Sequence, residues 1–231
     1  MLAWGLAEDA GWAQTAALAG PTKAAQRVVP AAEMNWKALT KAQLGILEKL
    51  NRADTNHLPR LPFLVAPLLS PEGGWPEDEL GLSPLPPLVE GAGKLLKVDL
   101  ALQAFGAYEN GKLVRWGPVS SGSKKVPTPA GSYRLTWRAK RHVSTDDASW
   151  ILKWYFNFHN QSGRAFHAYP LPGYPASHSC IRLLARDAEW LYHWGESWKL
   201  SGDGREVLEP GTPVVFEGAY DFTATPPWRK L

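Results

Sequence analysis

The chain has 231 residues, 45% of them hydrophobic and 20% charged, which is enough for one sizeable core and a small second module. A formal charge of +3 and a pI near 8.9 suit a weakly anionic partner such as an envelope polymer, while the lack of any Lys/Arg-dense block speaks against nucleic acid. The single cysteine excludes an internal disulfide framework, and no apolar run reaches the ~18 residues that a membrane span needs.

The opening stretch, MLAWGLAEDAGWAQ, has neither the basic leader nor the apolar segment of a secretory signal, and Glu8 and Asp9 interrupt it early. Residues 1–26 are Ala-rich without heptads or caps and read as a leader or loosely ordered segment. In LTKAQLGILEKLN the spacing of Leu39, Leu44, Ile46, Leu47 and Leu50 behind Thr40 predicts an amphipathic helix, N-capped by Thr40 and ending near Asn51. PFLVAP then reads as a short strand closed by proline. A strand, two helices and a strand over residues 27–67 resemble a LysM peptidoglycan-binding module, though without its Gly-Asp turn. The competing reading is a helical cap on the main domain. Residues 68–93 are rich in Pro and Gly, which predicts an extended spacer or a surface wrap and puts a domain boundary near residue 94.

From residue 94 onward, strand signals dominate. Val98, Leu100 and Leu102 alternate, Asn110-Gly111 favours a type I′ turn, and Leu113 and Val114 lie on the return, which predicts a β-hairpin. TPAGSYRLTW is a turn followed by a strand carrying Tyr133, Leu135 and Trp137 on one face. SWILKWYFNF and RAFHAY read as aromatic strands on either side of HNQSG, and TPVVFEG as the last strand. ARDAEWLYHWGESW is the one clear helix of this half. The fold expected is mainly β, sandwich-like with one or two helices, plus a small helical or α+β N-terminal region; residues 94–222 form the main domain and 223–231 a tail.

The lone cysteine sits in PASHSCIRL, residues 175–183. A nucleophilic thiol needs a base, donors for an oxyanion and access to substrate. His167, His178 and Arg182 are the groups near Cys180 that would depress its pKa. The commoner fate of a lone cysteine is a small buried hydrophobe, and nearness in sequence is weak support: His178 and Cys180 share a face in a strand but need not in a turn. His57, His142, His159 and His193 are weaker candidates. One cysteine without His-x-x-x-His or paired-carboxylate spacing offers nothing typical of a zinc site, and no Gly-x-Ser-x-Gly supports serine catalysis. Six of the 12 tryptophans surround the cysteine, a density that mostly signals core packing.

FHAYPLPGYPASHSCIRL resembles the signature of the L,D-transpeptidase catalytic domain, also called YkuD: a His-Gly pair, a loop, then Ser/Thr-His-Gly-Cys, an apolar residue and Arg or Asn. The opening hairpin, PTPAGSYRL, RDAEWLYHW and PGTPVVF resemble further family elements in the same order, over about residues 97–217. The resemblance implies that Cys180 is the nucleophile and His167 its general base or imidazolium partner, the ring oriented by the carbonyl of Ala168. It implies that His178 and Ser177 shape the nucleophile turn, that N–H groups near Ser179 and Cys180 form the oxyanion hole, and that Arg182 holds the turn or a substrate carboxylate. Tyr155 and Tyr169, on the aromatic strands, join Arg182, Ser177, Ser179 and Ala168 on the substrate side. Two positions depart from the family pattern: Ala168 stands where Gly or Ser is usual, and Ser179 replaces the glycine before the cysteine, a strain of about 1–3 kcal/mol if a positive φ is needed there. The loop from His167 to Ser177 is also short.

The activity implied is peptidoglycan transpeptidation through a cysteine thioester, without metal or cofactor, in the periplasm or cell wall. Stem peptides would be the donors, and a neighbouring stem or an envelope protein the acceptor, with carbapenems acylating the thiol. Resolution by water, giving a carboxypeptidase or amidase, and a non-catalytic wall-binding protein are the alternatives. The expected state is a monomer.

Overall fold

The computed structural model describes residues 26–68, 74–75, 80–88 and 91–230, so the leader expected over residues 1–26 lies outside the described residues except for Gln26. The N-terminal unit begins with β1 (Gln26–Pro30), passes two 3₁₀ turns at Ala31–Glu33 and Trp36–Ala38, and continues into α1 (Lys41–Asn51) and β2 (Phe63–Pro67). β1 and β2 pair antiparallel. Thr40 caps α1 through a reciprocal box: its hydroxyl accepts from Gln43 N at 3.2 Å, and Gln43 Oε1 accepts from Thr40 N at 2.9 Å. The first of the two expected helices is replaced by the 3₁₀ turns, because Pro30 and the Thr40 cap leave too short a run between them for an α-helix to nucleate. Asn51 at the end of α1 ties the unit together, donating to Leu47 O and Val65 O and accepting from Val65 N, all within 2.9 Å.

The main body contains β3 (Lys94–Asp99), β4 (Ala104–Glu109), β5 (Lys112–Ser120), β6 (Gly131–Arg134), β7 (Arg138–Val143), β8 (Ile151–His159), β9 (Arg164–Ala168), β10 (Ile181–Leu183), α2 (Ala185–Trp194), β11 (Lys199–Leu200), β12 (Val207–Glu209) and β13 (Pro213–Glu217). Nine strands form one mixed sheet in the order β6-β13-β3-β4-β5-β10-β9-β8-β7, and β11 and β12 form a separate pair. The β13–β3 and β9–β10 ladders are parallel, the others antiparallel. Strands far apart in this order touch: Phe216 of β13 packs on Phe158 of β8 at 4.8 Å and on Phe166 of β9 at 5.9 Å between ring centroids. The sheet is therefore curled upon itself, and the mainly β, sandwich-like expectation describes it. Its core gathers Leu96, Val98, Phe105, Leu135, Phe156, Phe166, Ile181 and Phe216 beneath Ala188 and Leu191 of α2.

Asn110 and Gly111, both at positive φ (50° and 78°), make the β4–β5 turn as the Asn-Gly pair predicts. The outgoing arm is not one strand, however. The chain turns at Leu100–Gln103, where Asp99 Oδ1 accepts from Leu102 N at 2.8 Å and Gln103 adopts φ 48°, so the expected hairpin is a three-stranded meander. Between Lys153 and Phe156, β8 carries one extra residue opposite β9: Lys153 pairs with Ala168 but Phe156 with Phe166, and Trp154 takes φ 55° within the bulge. The bulge reverses the alternation, so that Leu152 and Tyr155, three apart, both join the aromatic cluster that borders the cleft while Trp154 and Phe156 pack in the main core.

The N-terminal unit docks on β5. Ile46, Leu50 and Val65 pack with Leu82 and Trp116, which is wholly buried beneath Lys49 and Arg52. The described part of the Pro/Gly-rich segment wraps the surface, with Leu82 and Leu85 buried and Pro86 O accepting from the Tyr108 hydroxyl at 2.9 Å.

Candidate functional site

The cleft is lined by Ser144, Asp146, Trp150 and Leu152 from the β7–β8 hairpin, by His167 and Tyr169 at the end of β9, and by Ser177, His178, Cys180 and Arg182. β9 and β10 bring the two halves together. Their parallel register puts Arg182 directly across from His167, so Cys180 arrives beside the strand that carries the histidine.

The segment from Ser177 to Cys180 is a turn, fixed by hydrogen bonds to the β5–β6 connection. Ser177 N donates to Ser121 O (3.0 Å), Ser177 O accepts from Ser123 N (2.9 Å), and the Ser177 hydroxyl closes the turn on Cys180 O (2.5 Å). Thr128 bridges, its Oγ1 accepting from Gly122 N at 2.9 Å and donating to Ser179 O at 3.0 Å. Behind it, Gln103 donates to Ser121 Oγ (2.8 Å) and accepts from Ser121 N (2.9 Å). Ser179 adopts φ 77°, the left-handed conformation that makes glycine the easier residue there. Its hydroxyl donates to Pro127 O at 3.0 Å, an interaction that glycine lacks.

Cys180 is partly exposed. Its sulfur lies 4.0 Å from Gly163 O. Burial pushes the thiol pKa up, and Asp146 adds to this, against the opposite pull of a backbone hydrogen bond from Ala165 and the charges of Arg164 and Arg182. His167 is buried, and desolvation pushes its pKa down to about 4 in spite of the hydrogen bond to Ala168 O, with Arg182 and His142 lowering it further. Both shifts favour the uncharged forms, a thiol at Cys180 and a neutral imidazole at His167. Nδ1 of His167 lies 3.3 Å from Ala168 O; with the proton there, Nε2 is free to accept one. The chemistry open to this arrangement is base-assisted attack by a sulfur in which the charge forms only as substrate arrives.

Cys180, His167, His178, Arg182, Ser177 and Tyr169 are brought together, as their grouping in the sequence predicts. His178 lies in a turn, not a strand; it is exposed, and its ring packs on Trp150 at 5.0 Å across the mouth. Arg182 stacks on Tyr169 at 4.7 Å and donates to Pro170 O at 3.4 Å. Tyr155 and Ser179, expected on the substrate side, are instead buried (1% and 3% exposed). The Tyr155 hydroxyl donates to Gly163 O at 2.8 Å, beneath the cleft, because the β8 bulge turns the ring inward against Trp137 and His142. Ala168 contributes its carbonyl and does not line the cleft. Sequence reasoning missed Thr128, Gln103 and Trp150. Thr128 had a signal in the quoted PTPAG turn, whereas Gln103 sits in a stretch that reads as strand.

The sequence model of the L,D-transpeptidase catalytic domain (YkuD) matches residues 93–216. Among solved structures the chain is similar to an L,D-transpeptidase from Stackebrandtia nassauensis, at 24% identity over 65% of this chain and 72% of that one, with a TM-score of 0.47. It is also similar to one from Mycobacterium smegmatis (20% identity, 55% of this chain, 60% of that one, TM-score 0.44) and to one from Mycobacterium tuberculosis H37Rv (22%, 55%, 59%, 0.43). The chain thus spans less than two thirds of these mycobacterial proteins. No curated protein sequence matches significantly.

Proposed function

The chain belongs to the family of L,D-transpeptidase catalytic domains, and from that premise we propose that Cys180 forms a thioester with a peptidoglycan tetrapeptide stem and transfers it to an amine. The observation that carries this reading is a partly exposed sulfur sharing one cleft with a buried imidazole whose Nδ1 lies 3.3 Å from Ala168 O. In the first half-reaction the thiol proton passes to His167 as Sγ attacks the carbonyl carbon preceding the terminal D-Ala. The oxyanion is held by backbone N–H groups near Ser179 and Cys180. As the C–N bond breaks, His167 returns the proton to the departing D-Ala amine and the thioester remains. An acceptor amine then attacks, gives its proton to His167, and the sulfur leaves as thiol. Because Arg182 lies on the cleft wall, it is the group suited to a stem carboxylate. The substrate puts the enzyme outside the cytoplasmic membrane, with a neighbouring stem or an envelope protein as acceptor. Residues 27–67 belong to this reading as a LysM-like unit ahead of the catalytic domain.

Cys180→Ala decides the matter. The parent should gain the mass of a carbapenem and convert tetrapeptide muropeptides to 3→3 dimers, and the variant should lose both by on the order of 10⁴-fold or more. An adduct on the variant would remove Cys180 from the mechanism, while tripeptides without dimers would make water the acceptor.

A further inference from the structure

The connector from β9 to the nucleophile turn, residues 169–176, contains Pro170, Pro172 and Pro175, so it has few N–H groups with which to hold its own shape. Its ends are tied within the main body: Tyr169 N donates to Leu183 O at 3.2 Å, while Ser120 Oγ donates to Tyr174 O at 2.8 Å and accepts from Ala176 N at 3.1 Å. Its middle is tied to the N-terminal unit. Leu171 N donates to Asp54 Oδ2 at 2.7 Å, Asp54 N donates to Leu171 O at 2.9 Å, and Ala53 bridges to Pro172. Leu171 is fully buried there. The other oxygen of Asp54 accepts from Asn56 N (3.0 Å), His57 N (3.1 Å) and His57 Nδ1 (2.8 Å), so this carboxylate orders its own turn and the connector together.

We propose that Asp54 is a positioning residue that sets the substrate-facing wall of the cleft from the N-terminal unit, through Leu171 to Pro170, Tyr169 and Arg182. The two reacting groups are held independently of it, by the β9–β10 ladder, Ser177 and Thr128. The wall is not: Arg182 donates to Pro170 O, next to the tethered Leu171, and stacks on Tyr169. Loss of the tether therefore affects capture of a long substrate more than the reactivity of the sulfur. The kinetic part of this inference rests on the transpeptidase reading.

Asp54→Ser tests it. A serine hydroxyl still caps the Asn56 and His57 amides but is too short, with a single oxygen, to reach Leu171 as well. In the full chain this variant should raise KM for a tetrapeptide stem about tenfold with kcat changed less than about threefold, the loss expected of one charged hydrogen bond. Alkylation of Cys180 by iodoacetamide should stay within about twofold of the parent. Thr55→Ala, which removes a hydroxyl bonded to Glu48 and not to the connector, controls for loosening of the unit and should leave KM unchanged. Exchange of the Leu171 amide should quicken in Asp54→Ser alone, a readout that needs no turnover. Unchanged Leu171 protection would overturn the tether even if the parent proves inactive, and an unchanged KM, or a shift equal in Thr55→Ala, would overturn the positioning role.

Discussion

Two polar regions of this molecule are buried in opposite ways. At the seam where α1 and α2 meet β5, charges go in with partners: Arg115 donates from Nε and Nη2 to Asp187 Oδ1 at 2.9 and 2.7 Å, and Glu48 holds Arg186 and the Thr55 amide and hydroxyl. In the cleft neither His167 nor Cys180 has an ion-pair partner among the described residues; Arg164 and Arg182 favour the thiolate only in part, and burial outweighs them, pulling the imidazole down and the thiol up. The seam pairs its charges, and one of those pairs, Glu48–Arg186, joins the N-terminal unit to the main body. The cleft favours the uncharged forms of both groups.

The sharpest way to break this contrast is to remove the proposed base. His167→Gln should lower the acylation rate by about 10²–10⁴-fold, read by stopped-flow mass or fluorescence with a carbapenem. It should also alter the acid limb of stability. A histidine whose folded pKa is depressed from 6.5 to about 4 opposes protonation of the native state, so the parent loses stability as pH falls from 6.5 toward 4, by about 3 kcal/mol at the full shift. Denaturant melts across that range should show a steeper fall in stability with falling pH in the parent than in His167→Gln.

On the seam side, Arg115→Ala leaves Asp187 wholly buried and without its main partner, and should cost about 3 kcal/mol in denaturant unfolding near neutral pH. Burial already pushes that carboxyl up, so the variant's deficit should shrink in acid, where Asp187 takes a proton, and widen as pH rises. A deficit independent of pH would mean that Asp187 is neutral throughout and that the seam resembles the cleft after all.

The smallest effect lies at Ser179. Ser179→Ala keeps the positive φ and loses the hydrogen bond to Pro127 O, whereas Ser179→Gly loses the bond but relieves the backbone. Glycine should be the more stable of the two by about 1 kcal/mol, measured as a difference between variants.

Much of this was legible in the chain itself, and the exceptions share a cause. Asn110-Gly111, the Thr40 cap and the helix after Cys180 are local signals, and they appear where the sequence puts them. The positive φ at Ser179 was legible only through resemblance to a pattern with glycine there. β7 passed unseen because Arg138–Val143 is an edge strand with mostly exposed residues and no apolar alternation. β10 is three residues long and owes its existence to β5 and β9 on either side. Tyr155 was assigned to the right strand and the wrong side, since a bulge shifts parity without any mark in composition. Asp54 meets Leu171 across 117 positions, a pairing that no window of sequence contains.

The parallel pairing of β9 with β10 has an evolutionary corollary. Side-by-side strands running the same way need an overhand connection, and here that connection is separate from the rungs that set His167 opposite Arg182, two residues beyond Cys180. Insertions or exchanges between Tyr169 and Ala176 can therefore reshape the cleft wall while the β9–β10 register is kept, so on the proposed reading selection can retune specificity and chemistry as independent traits.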